Sequence, residues 1–454
     1  MNRYIFNAVK KVKDQVSFSM PGNKSNTSFD FDFKYDVTET IGTDNLLNPM
    51  DAILKSQEEI ARVYGVKSSY YIPNGSTGAL HVALSILTKP GDEIILQRNS
   101  HVSVYNSMIL NSLKPHYIYP NYNKESNLLT GINIDELEKL LKNNRIKAVV
   151  LSSPNYFGIC LRLKEISELV HKYKAYLIVD EAHGAHLKFS PYEAYSAVNF
   201  ADIIVHSTHK TLPSLTQTAL MHINCDIDQR QVLRSMKMFL STSPSYILML
   251  SSEYGVDFMD KNGRDILSKQ VALIEKMEAS LPEVNFFKKD DKDLTIGEVD
   301  KTKILFSLKG MKGYNIVKNM FLSYNIRLEM GDLNYALALS SVCNKESDFL
   351  KLRDALKDLS LREDDYVPMT EVEMSRPKII LNPREAFYRQ RESIDIKEAE
   401  GRVCANFVSA YPPGVPLITP GEEITGQIIS RLYDYHKAGI EIIGVDKGYV
   451  EVLK

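Results

Sequence analysis

Two short runs carry side chains that could do chemistry together. Asp180-Glu181-Ala182-His183 closes the apolar run Leu177-Ile178-Val179, and Ser207-Thr208-His209-Lys210 closes Ile203-Ile204-Val205. A lysine and a carboxylate at neighbouring strand ends suit pyridoxal phosphate (PLP) chemistry: the lysine carries the cofactor as a Schiff base, and the acid keeps the pyridine nitrogen protonated so that the ring accepts electrons. Upstream, Asn74-Gly75-Ser76-Thr77-Gly78 follows the strand-like Tyr70-Tyr71-Ile72 and opens an apolar helix from Ala79 to Leu87. Small residues there let backbone N–H groups approach a phosphate, the Ser76 and Thr77 hydroxyls add donors, and a helix N-terminus favours an anion. The same five residues also suit an ordinary capped turn; their place ahead of Asp180 and Lys210 is what favours phosphate.

Around this constellation the other roles follow from residue type. Asp180, shielded from water, bonds to the pyridine nitrogen. Ala182, two residues on and on the same side of a strand, is small enough for the ring to lie against it. His183 is a candidate donor to the phenolic oxygen, Ser207 a candidate phosphate ligand, and His209 a candidate proton donor at the imine. His101, beyond the strand ending at Leu96, has the character to stack on the ring. Each has a plainer alternative: a cap for Asp180, a core histidine for His183, a solvated lysine for Lys210. Asp-Glu-Ala-His also matches a helicase magnesium box, but the chain has no Gly-x-x-x-x-Gly-Lys-[Ser/Thr] loop to go with it. His183 and His186 lack a third ligand at a recognisable interval, so no metal is expected.

These residues need a scaffold that brings strand ends together. From about 51 to 223 short apolar runs alternate with segments of helical period, the pattern of a mostly parallel sheet with helices on its faces. Ile94-Ile95-Leu96, Ala148-Val149-Val150-Leu151, Leu177-Ile178-Val179 and Ile203-Ile204-Val205 read as strands buried on both faces. Ile166, Leu169, Val170 and Tyr173 form one helix face, and Leu137, Leu140 and Leu141 another. A helical stretch over 226–281 leads to a smaller α+β unit, with strands at 304–306 and 336–339 flanking a helix at 313–324. The Pro-rich run Tyr411 to Pro416 predicts a rigid loop. The division expected is an N-terminal segment 1–50, a large PLP-binding domain 51–285, a small α+β domain 286–370 and a C-terminal domain 371–454.

Composition narrows the function classes. Over 454 residues, 55 Lys+Arg balance 57 Asp+Glu for a net charge of -2, with no run of like charges to hold nucleic acid or a membrane surface. The four cysteines are scattered, which fits buried thiols in a reducing compartment. With no signal-like stretch and no segment of transmembrane length, a cytoplasmic protein is expected.

With these motifs assembled, the chain resembles the Orn/Lys/Arg decarboxylase family over nearly its whole length. The resemblance runs from Met20-Pro21-Gly22-Asn23-Lys24, Asp36-Val37-Thr38-Glu39 and Gly42-Thr43-Asp44-Asn45-Leu46 through Arg98-Asn99-Ser100-His101 and the motifs above. It continues to Ser241-Thr242-Ser243-Pro244, Tyr411-Pro412-Pro413-Gly414 and Pro420-Gly421-Glu422. It implies a PLP-dependent fold type I enzyme of the aspartate aminotransferase kind, which decarboxylates arginine, lysine or ornithine to the amine of polyamine chemistry. It further implies Lys210 as Schiff-base lysine, Asp180 at the pyridinium, His101 on the ring, and Ser76, Thr77 and Ser207 at the phosphate. The family's shared sites imply a homodimer in which Thr242 or its neighbours reach the partner's cofactor. Asn23 stands where the family has histidine, and the N-terminal wing of the long forms is not seen. The substrate's distal cation needs a carboxylate: Glu422, Asp44 and Glu329 are candidates. Arg402 could meet the α-carboxylate or form a structural ion pair. An aminotransferase or lyase, or a PLP-binding regulator without turnover, would keep the same lysine and acid.

Overall fold

The computed structural model describes residues 16–18, 44–362, 369–411 and 414–454. Its largest sheet has seven strands: β1 Ser68–Tyr71, β2 Glu93–Gln97, β3 Lys114–Ile118, β4 Ile146–Ser152, β5 Tyr176–Asp180, β6 Ile203–His206 and β7 Leu220–Ile223, in the order β1-β7-β6-β5-β4-β2-β3. Strands β3, β2, β4, β5 and β6 run parallel, and β7 is antiparallel to both its neighbours. Helices on both faces of such a sheet leave little of the inner strands wet, which is why they read as continuous apolar runs. Ile94 to Leu96, Ala148 to Leu151, Leu177 to Val179 and Ile203 to Val205 are all buried. Helix Leu163–Lys172 buries Ile166 and Val170 with Leu169 and Tyr173 at its margin, and helix Ile134–Asn143 buries Leu137 and Leu141.

Local polar chemistry departs from the apolar pattern at several points. Strand β6 ends at His206, so Lys210 sits on the one-turn helix Thr208–Thr211 instead of on a strand end. Hydroxyls there draw the backbone out of the ladder: Thr208 Oγ1 donates to Thr218 Oγ1 at 2.7 Å, and Lys210 N–H turns back to Ser207 O at 3.2 Å. Ala182 likewise lies in a turn beyond β5, not on a strand, and its N–H donates to Asp180 Oδ1 at 3.1 Å. The helical stretch over 226–281 is two helices, Gln229–Phe239 and Tyr246–Ala279, with the Ser-Thr-Ser-Pro run in the break. Ser245 caps the second by accepting from Leu248 N–H. Within the Pro-rich run, Tyr411 ends one strand and Val415 begins another, and Val408–Tyr411 pairs antiparallel with Val415–Ile418. Pro416 is tolerated because its strand is at the sheet edge, where the missing N–H breaks no inner ladder; Pro412 and Pro413 lie outside the described residues.

Two further large cores, with smaller clusters beside them, lie among the described residues. Phe18, Ile304, Phe306, Ile316, Met320 and Leu352 pack around a four-stranded antiparallel sheet made by Asn285–Phe286, Lys303–Ser307, Ala336–Leu339 and Met330–Gly331. Helix Tyr246–Ala279 belongs to both large cores, giving Met249, Val256 and Met259 to the first and Ile274 and Met277 to the second. The third core gathers Ile396, Val408, Ile418, Ile428, Leu432 and Val450. Among the described residues no helix is long and apolar enough to cross a membrane.

Candidate active site

The three cores meet at a cavity of about 820 Å³, walled by Asn74 to Thr77, His101, Asp180, Ala182, His183, Ser207, His209 and Lys210 from the large sheet's carboxyl edge. The opposite wall comes from Glu329 to Leu333 of the second unit and from Arg431, Tyr435 and Glu441 of the third. Ligands of open α/β sheets collect at the carboxyl ends of parallel strands because loops there diverge and leave a crevice. Separate elements therefore deliver the lysine, the acid and the glycine-rich turn to one space.

Lys210 Nζ lies 3.0 Å from His183 Nε2. Burial pushes the Lys210 ammonium below its ordinary value and Lys303 adds to this, while Asp180 and Glu329 work against it. Burial raises the Asp180 carboxyl, with the Lys210 charge and the Ala182 N–H opposing. Burial, then Lys210, holds His183 well below its usual range, so its ring is neutral and accepts from Nζ at Nε2. His101 begins helix Val102–Leu110, its Nδ1 accepting from Ser103 N–H at 3.2 Å, and burial and Lys210 depress it to about 4. His209 is also pushed down to about 4, chiefly by burial. Its Nδ1–H donates to Thr218 O at 3.0 Å, so in the neutral ring Nε2 is an acceptor. His209 Nε2 can therefore donate to the site once it has taken a proton.

Several other expectations change place. Gly78 does not line the cavity: a Cβ there would stand 2.2 Å from Asn74 Oδ1, so this glycine makes room for the Asn74 side chain. Thr242 is exposed and away from the chain's own cavity. Glu422 is withdrawn as a ligand for the substrate's distal charge, because it is buried against Arg98 at 2.8 Å. Asp44 is withdrawn too, its carboxylate accepting from the N–H groups of Asn45, Met50, Asp51 and Ile53 at the start of helix Ala52–Tyr64. Arg402 forms the ion pair, at 2.6 Å from Glu392, and does not reach the cavity. Glu329 does line it and accepts from Tyr156 O–H at 2.6 Å; the Tyr156 ring meets His183 edge-on at 4.9 Å. Asn23 lies outside the described residues. Tyr156 and Gln217 were missed. Tyr156 follows the carboxyl end of β4, the same signal that marks Asp180; Gln217, at φ 83°, has no such signal.

The residues present suit PLP. Ser207 Oγ is buried beside the cavity without a hydrogen-bond partner among the described residues, as is His183 Nδ1. A buried hydroxyl left unpaired is costly unless a ligand satisfies it. The helix opening at Gly75 has no side-chain cap, since Asn74 Nδ2 donates to Phe239 O instead; Gly75 N–H turns back to Ile72 O at 3.2 Å, and the N–H groups after it are the ones placed for an anion.

A lysine on the turn after one parallel strand, an acid closing the next and an uncapped helix start define a PLP-dependent enzyme of fold type I. The constitutive lysine decarboxylase of Escherichia coli shares this fold, with a TM-score of 0.79 and 21% identity, over 93% of this chain and 75% of that one. The sequence narrows the class further: the Orn/Lys/Arg decarboxylase major domain matches residues 10–314 and the family's C-terminal domain matches 349–443, and the chain belongs to that family. The arginine decarboxylase of Bacillus cereus is 30% identical over 432 residues, covering 90% of this chain and 94% of the relative. That of Bacillus subtilis is 28% identical over 464 residues, covering 97% and 95%.

Proposed function

We propose that this PLP-dependent amino-acid decarboxylase acts on arginine in preference to lysine and ornithine, and that Lys210, Asp180, His101, Ala182, His183, Ser76, Thr77 and Ser207 hold the cofactor. The observation that carries the reading is the convergence on one cavity of Lys210, Asp180 and the unpartnered Ser207 hydroxyl. The arginine preference rests on the names of the two Bacillus relatives.

Bound PLP supplies the electron sink that lets the α-carboxylate leave as carbon dioxide. Lys210 becomes the nucleophile by losing a proton, which its lowered pKa eases, and His183 Nε2 holds Nζ in place by accepting its hydrogen bond. Asp180 holds negative charge at the ring-nitrogen end. His209 Nε2 would take a proton from water and deliver it to the substrate carbon in place of the departed carbon dioxide. Glu329 receives the guanidinium: of the three acids considered, it alone faces the cavity. Remote binding of this kind would orient the substrate's α-carbon for the reaction. The enzyme is read as a cytoplasmic homodimer, with Thr242 facing the partner's site and its amine product entering polyamine chemistry.

Mass spectrometry of products from arginine, lysine and ornithine tests this, with Lys210→Ala alongside. Agmatine and carbon dioxide from wild type are expected, and neither product nor visible cofactor band from the variant. Borohydride reduction that labels a side chain other than Lys210, or a keto acid as the product, would overturn the reading.

A further inference from the structure

Behind the cavity floor, and unused by the chemistry above, lies an unbroken line of buried polar side chains. Glu181 Oε2 is 2.7 Å from His206 Nε2, His206 Nδ1 is 3.0 Å from His222 Nε2, and His222 Nδ1 is 2.7 Å from Ser69 Oγ. The four residues are at most 3% exposed. They step from the end of β5 across β6 and β7 to β1, following the sheet's own order. Tyr64 packs on both imidazoles, with ring centroids 5.0 and 4.5 Å away, and its O–H donates to Ala185 O at 3.0 Å. The other end is anchored too, since Glu181 Oε1 accepts from Ala197 N–H at 2.7 Å and Oε2 from Ser196 Oγ at 3.0 Å.

The position of this line in the sequence gives it a purpose. Glu181 follows Asp180, and His206 precedes Ser207 and the turn that carries Lys210. The Glu181–His206 bond therefore ties the residue after the acid to the residue before the lysine turn, across two strands whose ladder has ended. We propose that Glu181, His206, His222 and Ser69 act as one positioning relay, which holds Asp180 and the Ser207–Lys210 turn at the separation the reaction needs. A fully satisfied buried network rigidifies what it touches. Misplacement of about 1 Å at a reacting centre costs on the order of a hundredfold in rate.

The same geometry says which substitutions spare the relay. In Glu181→Gln, the amide oxygen must face the Ala197 N–H, so its NH₂ meets His206 and Ser196; both rings, His206 and His222, switch tautomer so that His222 donates to Ser69 Oγ, and the Ser196 hydroxyl rotates to accept. In His206→Gln, a single amide still offers a donor and an acceptor. His206→Leu fills the space and offers neither.

The inference rests on the reading of Lys210 and Asp180 as the cofactor residues. Its first readout does not: exchange of the Ala182 amide, which donates to Asp180 Oδ1, reports the order of this turn in cofactor-free protein. In His206→Leu that amide is expected to exchange at least about tenfold faster than in wild type. On the holoenzyme, the same variant is expected to lose about tenfold or more in kcat with KM within about twofold, and to shift the pH midpoint of the cofactor band. His206→Gln and Glu181→Gln are expected to stay within about threefold of wild type on each measure. If His206→Leu does not fold, Ser69→Ala serves, leaving His222 Nδ1 unpaired and predicting a smaller change of the same kind. Wild-type exchange and kcat in the disrupting variant, or equal losses in His206→Leu and His206→Gln, would overturn the relay. A wild-type protein that forms no visible band with PLP would instead defeat the reading beneath it.

Discussion

Lys210 sits in a field that makes its amine easier to deprotonate and yet keeps it next to Asp180 and Glu329. In the proposed function Glu329 receives the distal cation, and a charge-assisted hydrogen bond is worth about 1.5–3 kcal/mol. Glu329→Gln is therefore expected to raise KM for arginine roughly ten- to a hundredfold while kcat falls less. Tyr156→Phe, which removes only the O–H donated to Glu329, should raise it by less than about tenfold. Steady-state kinetics decide this; an unchanged KM in Glu329→Gln would move the distal site elsewhere on the cavity wall.

Elements hold these residues by close backbone contact as much as by side-chain packing. Helix Gly313–Tyr324 starts directly against the strand Met330–Gly331 that carries the cavity's far wall, and a Cβ on Gly331 would stand 2.2 Å from Gly313 O. Backbone cannot swing aside as a side-chain tip can. Gly331→Ala is expected to destabilise by about 3 kcal/mol or more, measured by urea unfolding, and to widen the cavity's mouth. At Gly78 the clash would be with the Asn74 side chain alone. The same substitution there should cost little stability and act on cofactor affinity instead.

At the scale of the whole molecule, the third core is fastened to the first by Arg98 and Glu422. Arg98 is fully buried, 2.8 Å from Glu422 Oε2, and also donates to Pro416 O at 2.7 Å in the strand beside His101. Burial works against the guanidinium, but Glu422 together with Tyr105, Tyr117 and Tyr119 more than offsets it and keeps it charged. Removing one partner of a buried pair leaves the other unpaired, so Glu422→Gln should cost about 3–5 kcal/mol by chemical denaturation. Acid acts on the whole chain through its buried imidazoles. Burial lowers His101 and His209 to about 4 and His206 to about 3, from an ordinary 6.5. Their folded-state values are depressed, so the stability they contribute is intact above pH 6.5 and is lost as pH falls through about 4. Asp300 adds a lower step. Burial would raise it, but His186 and Lys303 and the bonds from His186 and Thr302 bring it to about 2, so its contribution is lost between about 3.8 and 2. Urea midpoints that stay flat between pH 6.5 and 4 would contradict the histidine assignment.

The amino-acid order determined the class of fold, the strand ends and the lysine, acid and glycine-rich turn, because apolar runs and motif spacing are local and a parallel sheet gathers its carboxyl ends on one edge. Only the tertiary structure decided which acid faces the cavity. Asp44, Glu329 and Glu422 are alike as residue types, and partners distant in the chain, Arg98 for Glu422 and Tyr156 for Glu329, set where they are held. The same holds for the line from Glu181 to Ser69: its members lie up to 153 residues apart in sequence and become neighbours only because β5, β6, β7 and β1 lie side by side.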